Sequence, residues 1–110
     1  MGAPLSPAVF HILLALAEGK RHGYAIAEEV EGQSGGLVRL GPATLYTTLQ
    51  RLLDLGWIAT AESPSGVDER RRYYRLTGAG RQALQAEVDR MESVVRKARS
   101  LRVKPVTSKS

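Results

Sequence analysis

Four polar side chains recur at helical spacing in the middle of the chain. Thr44, Thr47, Thr48 and Arg51 follow the i, i+3, i+4, i+7 pattern, which places them on one face of a helix. Threonine hydroxyls bond to several bases and their methyl groups touch thymine, whereas an arginine can bind guanine through two parallel hydrogen bonds. The pattern is typical of a helix that reads the major groove of double-stranded DNA. The alternative is an exposed polar helix surface without a ligand.

A dense basic cluster lies further along the chain. It consists of Arg70, Arg71, Arg72 and Arg75, interleaved with Tyr73 and Tyr74. This composition is typical of a surface that touches a polyanion, and we assign DNA contact to the four arginines and to Tyr73. In a strand, Tyr73 and Arg75 share one face and Tyr74 shares the other with Leu76. One tyrosine is therefore expected to pack and its neighbour to face outward. The alternative is a strand whose charges only keep it solvated.

Helical and strand periodicity predicts the elements that position these residues. A first helix starts at the N-cap Ser6 with Pro7 and runs to residue 17, and a second covers residues 22 to about 32. A third opens at Gly41 and Pro42 and ends near Gly56. Residues 57–62 and 72–77 form a two-stranded hairpin with a long tip. Three helices followed by a hairpin is the order of a winged helix-turn-helix, an α+β fold that is mostly α.

Two apolar surfaces predict a second subunit. The first helix is apolar at every position from Ala8 to Ala17 except His11, so it either lies deep in a larger core or meets another subunit, and the short chain favours the second. After Thr77, which caps a final helix, apolar residues follow heptad spacing that suits pairing with a partner helix. The predicted dimer interface comprises Phe10, Leu13, Leu84, Val88, Met91, Val95 and Ala98. This gives a DNA-binding domain of residues 5–78, a dimerisation helix of residues 79–102 and a flexible tail of residues 103–110.

The composition excludes several classes of function. The chain has 110 residues, a net charge of +5 that is concentrated in residues 81–110, and no cysteine. A disulfide, a thiolate metal site and a cysteine nucleophile are therefore excluded. Serine, histidine and aspartate occur at no spacing that places a nucleophile beside a base, and no glycine-rich phosphate loop occurs. We predict that the chain is not an enzyme and that it uses no cofactor or metal.

The hydropathy predicts a cytoplasmic protein without a membrane partner. The longest apolar stretch, residues 12–17, is far shorter than the roughly 18 residues that a membrane span needs. No basic-then-apolar leader precedes it. The two histidines are given structural roles, His22 at the start of the second helix and His11 as a satisfied core or interface residue. Trp57 is expected to anchor the first hairpin strand in the core.

Six short motifs resemble the PadR family of transcriptional regulators. They are Leu5-Ser6-Pro7, Leu16-Ala17-Glu18-Gly19, Arg21-His22-Gly23-Tyr24, Thr44-Leu45-Tyr46, Arg51-Leu52 and Arg71-Arg72-Tyr73-Tyr74-Arg75-Leu76-Thr77-Gly78-Ala79-Gly80-Arg81. The match covers roughly residues 5 to 85 in order and spacing, and its last motif is specific. With a single C-terminal helix, the chain is similar to the small subgroup of that family.

The resemblance implies a homodimeric repressor that binds an operator in double-stranded DNA. It implies that the third helix enters the major groove, that the hairpin lies on the backbone and that the C-terminal helix forms the dimer. Tyr46 matches the motif and is a candidate for a phosphate or sugar contact. Members often have proline, arginine and glutamate where this chain has Thr47, Gln50 and Leu53, so a different operator sequence is expected.

The sequence leaves two further interpretations open. Relatives sense small aromatic or drug-like compounds between their subunits, and the resemblance therefore implies an unidentified small-molecule effector. The C-terminal helix has no aromatic residue between Arg81 and Arg102, so the sequence locates no site for it. The alternative to DNA binding is a winged-helix module that uses the same surface for protein contacts.

Overall fold

The computed structural model describes residues 4–64 and 71–101. Arg70 and the predicted tail of residues 103–110 lie outside the described residues. The described part contains four helices and three strands: α1 (Pro7–Ala17), β1 (Arg21–His22), α2 (Gly23–Gln33), α3 (Pro42–Leu55), β2 (Ile58–Ala61), β3 (Tyr73–Leu76) and α4 (Gly78–Ser100). The predicted order of three helices, a hairpin and a final helix is confirmed.

Local capping chemistry sets the helix ends. Ser6 Oγ accepts a hydrogen bond from the Val9 N–H at 3.2 Å and starts α1. Thr77 Oγ1 accepts one from the Gly80 N–H at 3.1 Å and starts α4. α3 is followed by Gly56, whose φ of 76° lies in the left-handed region that favours glycine. Because each end depends on residues adjacent in the sequence, the sequence alone was enough to locate these ends.

α1 lies at the centre of the hydrophobic core. Ile12, Leu13 and Leu16 are each no more than 2% exposed. The same cluster contains Ile26, Val30, Leu45, Leu49, Leu52, Ile58, Tyr74 and Leu84. α1 contacts α2, β3 and α4, so this one chain supplies most of the partner surfaces that its apolar residues need.

The predicted interface roles of Leu13 and Leu84 are wrong. Leu13 is 0% exposed and Leu84 is 7% exposed, and both belong to the core of the single chain. A side chain without exposed surface has none left for a second subunit. The apolar spacing of α1 and α4 identified positions that need burial, but it did not distinguish burial in the chain's own core from burial between subunits.

The sheet has three strands where the sequence predicted two. β3 is central, with β1 and β2 antiparallel on either side. In the pairing of β1 with β3, Arg21 lies opposite Tyr74 and His22 lies opposite Tyr73. β1 has only two residues, too few to show the alternation by which strands are recognised in a sequence. It ties the start of α2 directly to the hairpin.

α4 is docked onto the hairpin through a glycine. A Cβ at Gly80 would overlap the backbone carbonyl oxygen of Trp57, which also accepts a hydrogen bond from the Thr77 N–H at 3.1 Å. Thr77 Oγ1 donates a second hydrogen bond to the Gly56 carbonyl at 2.6 Å. The first turn of α4 is therefore held against the junction of α3 and β2. Neither α4 nor any other helix of the described residues is long and apolar enough to cross a membrane.

Gly80→Ala should destabilise the fold, because a backbone carbonyl cannot move away as a flexible side chain would. We expect a loss of roughly 2 kcal/mol or more in the free energy of unfolding, measured by denaturant titration. Gly78→Ala is the matched control, since a Cβ there meets nothing within 4 Å. It should leave stability unchanged or raise it by up to about 1 kcal/mol. Equal effects of the two substitutions would contradict the close approach.

Candidate nucleic-acid interface

The outward face of α3 carries the polar residues that the sequence singled out. Leu45, Leu49 and Leu52 are buried on one side of α3. Thr44, Thr47 and Arg51 are exposed on the other. The rotation of α3 about its own axis is therefore set by its leucines, and the exposed threonines and arginine share a surface that is free to meet a ligand.

Thr48 differs from the other threonines of α3. It is half-buried, and its Oγ1 donates a hydrogen bond to the Thr44 carbonyl at 2.7 Å. Its single hydroxyl hydrogen is thus engaged within the helix, leaving an acceptor oxygen and a methyl group for any ligand. On the flank of α3, Gln50 donates to Asp54 Oδ1 at 3.0 Å, so that amide is also partly engaged.

Tyr46 joins α3 to the start of α2. A Cβ at Gly23 would lie 2.5 Å from the Tyr46 hydroxyl oxygen, so the tyrosine ring lies directly across the glycine backbone. The Tyr46 side chain is nevertheless 51% exposed. The glycine that permits this contact stands in the motif Arg21-His22-Gly23-Tyr24, but the sequence pattern did not show that Tyr46 was its partner.

The hairpin presents its arginines to solvent. Arg71, Arg72 and Arg75 are exposed, the last of them within β3. Ser63 Oγ donates a hydrogen bond to the Arg71 carbonyl at 3.2 Å and connects the two sides of the hairpin. Arg70, also predicted to contact DNA, lies outside the described residues. Three of the four predicted arginines are thus exposed on the hairpin, and we call these three residues the wing.

Both tyrosines of β3 are buried, so the expected outward orientation of Tyr73 is wrong. Tyr73 is 7% exposed and Tyr74 is 3% exposed. The His22 ring covers Tyr73 edge-on, with ring centroids 5.4 Å apart. Pairing with β1 brings this histidine over a face that alternation in a two-stranded hairpin would have left open. Tyr73 therefore has little surface available for contact with DNA.

Tyr74 packs in the core and lies close to Arg72. Burial raises the pKa of the Tyr74 phenol, and the neighbouring Arg72 guanidinium partly opposes that rise. The phenol is therefore neutral at physiological pH. Its ring anchors the strand that carries the wing arginines.

The two histidines have the structural contacts that the sequence predicted. His22 caps α2, because its Nδ1 accepts a hydrogen bond from the Ala25 N–H at 3.1 Å. Gln33 Nε2 lies 3.0 Å from His11 Nδ1 and also donates to the His11 carbonyl at 2.7 Å. His22 has a further contact, which the sequence did not predict: its Nε2 lies 3.0 Å from Arg71 Nη1.

A second surface runs along α4. Phe10 of α1 and Val88, Met91 and Val95 of α4 line a shallow groove of about 580 Å³. The groove is edged by Glu92, Arg96 and Arg99. Ala98, the remaining predicted interface residue, is half-buried on the same helix. The structure thus brings together Phe10 and the central positions of the heptad pattern, while Leu13 and Leu84 lie beneath them in the core.

The buried carboxylate of Glu87 pairs with the more exposed Arg90, one turn further along α4. Glu87 is 6% exposed and accepts two hydrogen bonds from Arg90, at 3.0 and 2.8 Å. The hydrogen bonds from Arg90 lower the pKa of Glu87 below its ordinary value of 4.5, and the backbone N–H of Leu5 contributes to the same shift. The burial of this carboxylate does not follow from the heptad pattern, since a glutamate next to heptad positions is usually exposed.

Three packed helices and a hairpin with an exposed polar third helix define a winged helix-turn-helix protein. The model of the transcriptional regulator PadR-like family matches residues 12–86, and the chain belongs to that family. A transcriptional regulator of Mycobacterium tuberculosis is 37% identical over 87 residues, covering 78% of this chain and 77% of the relative. The family assignment confirms the expectation of a transcriptional regulator rather than an enzyme.

Solved structures share the fold. A transcriptional regulator from Clostridium thermocellum is 28% identical with a TM-score of 0.69, covering 88% of this chain and 90% of that one. PadR of Bacillus subtilis, crystallised in complex with operator DNA, is 22% identical with a TM-score of 0.66, covering 98% of this chain and 54% of that one. The chain spans 21% and 64% of the length of two further curated relatives, from Streptomyces fradiae and Lysinibacillus sphaericus.

Glu87→Gln should lower the melting temperature at neutral pH and have little effect in acid. The pKa of Glu87 is lowered in the folded state, so the unfolded chain takes up the proton first. The ion pair therefore stabilises the fold above the ordinary glutamate pKa, and this stabilisation is lost as pH falls through the folded pKa. Melting curves between pH 7 and about pH 3 test this expectation. Glu92→Gln, an exposed position on the same helix, is the control, and a pH-independent loss at Glu87 would contradict the pairing.

Proposed function

We propose that this chain is a homodimer that binds a specific double-stranded DNA operator and represses transcription. The observation that carries the proposal is the exposed polar face of α3 beside the exposed arginines of the wing. A helix fixed by buried leucines can supply contacts to base edges. A basic hairpin beside it can supply contacts to phosphates, so the two elements together suit binding to a DNA duplex. The PadR structure with operator DNA has the same fold and supports the proposal.

α3 has the dimensions to read sequence. A major groove about 12 Å wide admits one helix, whose N-terminal side chains reach the base edges. Thr44 and Thr47 lie in the first half of α3 and are the proposed base contacts, with Thr48 as an acceptor beside them. Arg51 lies further along and would contact either a guanine, at roughly 1 to 3 kcal/mol of discrimination, or a phosphate.

The wing is proposed to bind the phosphate backbone. Arg71, Arg72 and Arg75 are exposed and can neutralise phosphates, and Arg70 is proposed to act with them. Tyr46 is fixed by its contact with Gly23 but half of its surface is free, which suits a hydrogen bond from its hydroxyl to a phosphate or sugar. These contacts give affinity and register, and the base contacts of α3 give specificity.

Dimerisation is proposed to occur along α4. Phe10, Val88, Met91 and Val95 line one groove, and Ala98, half-buried one turn beyond Val95, is proposed to extend the dimer surface. On this proposal, residues 5–78 form the DNA-binding domain, residues 79–102 form the dimerisation helix and residues 103–110 form a tail.

Such a regulator acts on the chromosome, and we therefore place it in the cytoplasm. An effector remains an implication of the family resemblance, without an assigned site.

DNA binding should depend steeply on salt, because each neutralised phosphate releases counterions. Removing one wing arginine, for example by Arg72→Ala, should reduce the slope of log affinity against log salt by about 0.9 and weaken binding to all sequences alike. Fluorescence anisotropy of a labelled duplex over a salt series measures the slope. Lys97→Ala, which removes the same charge near the far end of α4, should leave it unchanged. No binding at low salt, or a flat slope, would favour the protein-interaction module instead.

A charge in the α4 groove should dissociate the dimer. Met91→Glu places a carboxylate among Phe10, Val88 and Val95, and we expect monomer mass by sedimentation equilibrium at micromolar concentration. Specific operator binding should fall with it, because two half-sites can no longer be engaged together. Val94→Glu is the control, since Val94 is 55% exposed and does not line the groove. A retained dimer mass in the Met91 variant would disprove the surface.

A further inference from the structure

The His22 side chain has one more contact than its capping role explains. It caps α2 through Nδ1, and its other ring nitrogen points at the wing, 3.0 Å from Arg71 Nη1. We propose that His22 is a DNA-contacting residue whose Nε2–H donates, together with Arg71, to a single phosphate oxygen. This inference rests on the proposed function, and it adds a contact to the same interface.

The capping bond assigns the tautomer of the ring. Nδ1 accepts a hydrogen bond from the backbone N–H of Ala25, so that nitrogen carries no hydrogen. A neutral imidazole has one N–H, which must then lie on Nε2. The nitrogen that faces the wing is therefore a donor.

Two donors then face each other at 3.0 Å. An arginine guanidinium only donates, so Arg71 cannot accept from His22 Nε2–H. The pair is unfavourable alone and becomes favourable when one acceptor oxygen bonds to both donors. Because Arg71 is cationic, an anionic oxygen fits best, and a phosphate oxygen of a DNA backbone has this charge and geometry.

Aromatic neighbours hold the His22 ring in place. The ring stacks on Tyr24, with centroids 6.4 Å apart and planes 8° from parallel. It meets Tyr73 edge-on at 5.4 Å. With its plane fixed and its Nδ1 bonded, the imidazole loses little further freedom when it binds an anion, which makes Nε2–H a preorganised donor.

The position of His22 suits contact with a DNA backbone that passes from α3 to the wing. The residue after His22 is Gly23, which carries the Tyr46 ring of α3 across its backbone. On the other side, Arg71 belongs to the wing. His22 thus lies between the proposed groove contacts and the proposed backbone contacts, where a phosphate strand that leaves the major groove would run.

Two substitutions separate the capping role from the phosphate role. In His22→Asn, the side-chain oxygen can replace Nδ1 as the cap acceptor, but nothing replaces Nε2. In His22→Gln, the amide N–H reaches the position of Nε2, but the cap is weakened. The probe is a duplex of about 30 base pairs of arbitrary sequence at about 50 mM salt, because a phosphate contact acts on every sequence.

The proposal expects His22→Asn, which keeps the cap but loses the ring contacts with Tyr24 and Tyr73, to remain folded with a modestly lower melting temperature and to bind the duplex roughly tenfold more weakly. His22→Gln loses the same ring contacts and also weakens the cap, so it should melt at a still lower temperature but recover most of the lost affinity. The reverse order of affinities, or equal binding by His22→Asn and the unsubstituted protein, would overturn the proposal. If the unsubstituted protein fails to bind the duplex, the proposed function itself fails.

A double-mutant cycle tests whether the two donors share one oxygen. Combining His22→Asn with Arg71→Ala should cost less than the product of the two separate fold losses, because both remove bonds to the same acceptor. Combining His22→Asn with Arg75→Ala should reduce the affinity by the full product of the two separate fold losses. Independent losses in the Arg71 pair would contradict the shared oxygen.

Discussion

The burial of three leucines on one side of α3 is the constraint on which the proposed interface depends. Leu45, Leu49 and Leu52 are each 3% exposed or less. Burying a leucine side chain contributes roughly 1.5 to 3 kcal/mol, so turning α3 about its axis would lose several kcal/mol. That cost is comparable with the whole stability of a small domain. The threonines and Arg51 on the opposite side therefore face outward because of the core beneath them.

Close backbone approaches connect that helix to the rest of the fold. Gly23 lets Tyr46 lie across the start of α2, and Gly80 lets α4 rest on the Trp57 carbonyl. Between them, the two-residue strand β1 attaches the hairpin to α2 through the pairing of His22 with Tyr73. The wing is consequently fixed in relation to α3, so that one duplex could touch both. Rigid placement of this kind lowers the ordering cost of binding.

The sequence predicted what depends on local chemistry and regular spacing. The caps at Ser6 and Thr77, the end of α3 at Gly56 and the two faces of α3 follow from neighbouring residues or from a period of 3.6. Heptad spacing likewise identified Val88, Met91 and Val95, which share one groove with Phe10. These features need no knowledge of which elements meet in space.

The errors arose where the outcome depended on a distant partner. β1 was too short to show a period, and without it the covering of Tyr73 by His22 was not visible. Leu13 and Leu84 were correctly identified as apolar positions but were assigned to the wrong partner, because spacing does not say which surface covers a residue. Glu87 was missed because its burial depends on Arg90 and the N-terminal segment folding over it.

In the proposed complex, a twofold dimer presents two α3 helices to successive turns of one duplex. Because the sequence contains no cysteine, Gln50→Cys places a single spin label on the outer surface of α3 in each subunit. Pulsed dipolar spectroscopy on the DNA-bound protein then measures the separation of the two labels. We expect a distribution centred near 34 to 36 Å, about one helical turn of DNA. A separation far shorter than one turn, or no dipolar signal from a DNA-bound sample, would contradict it.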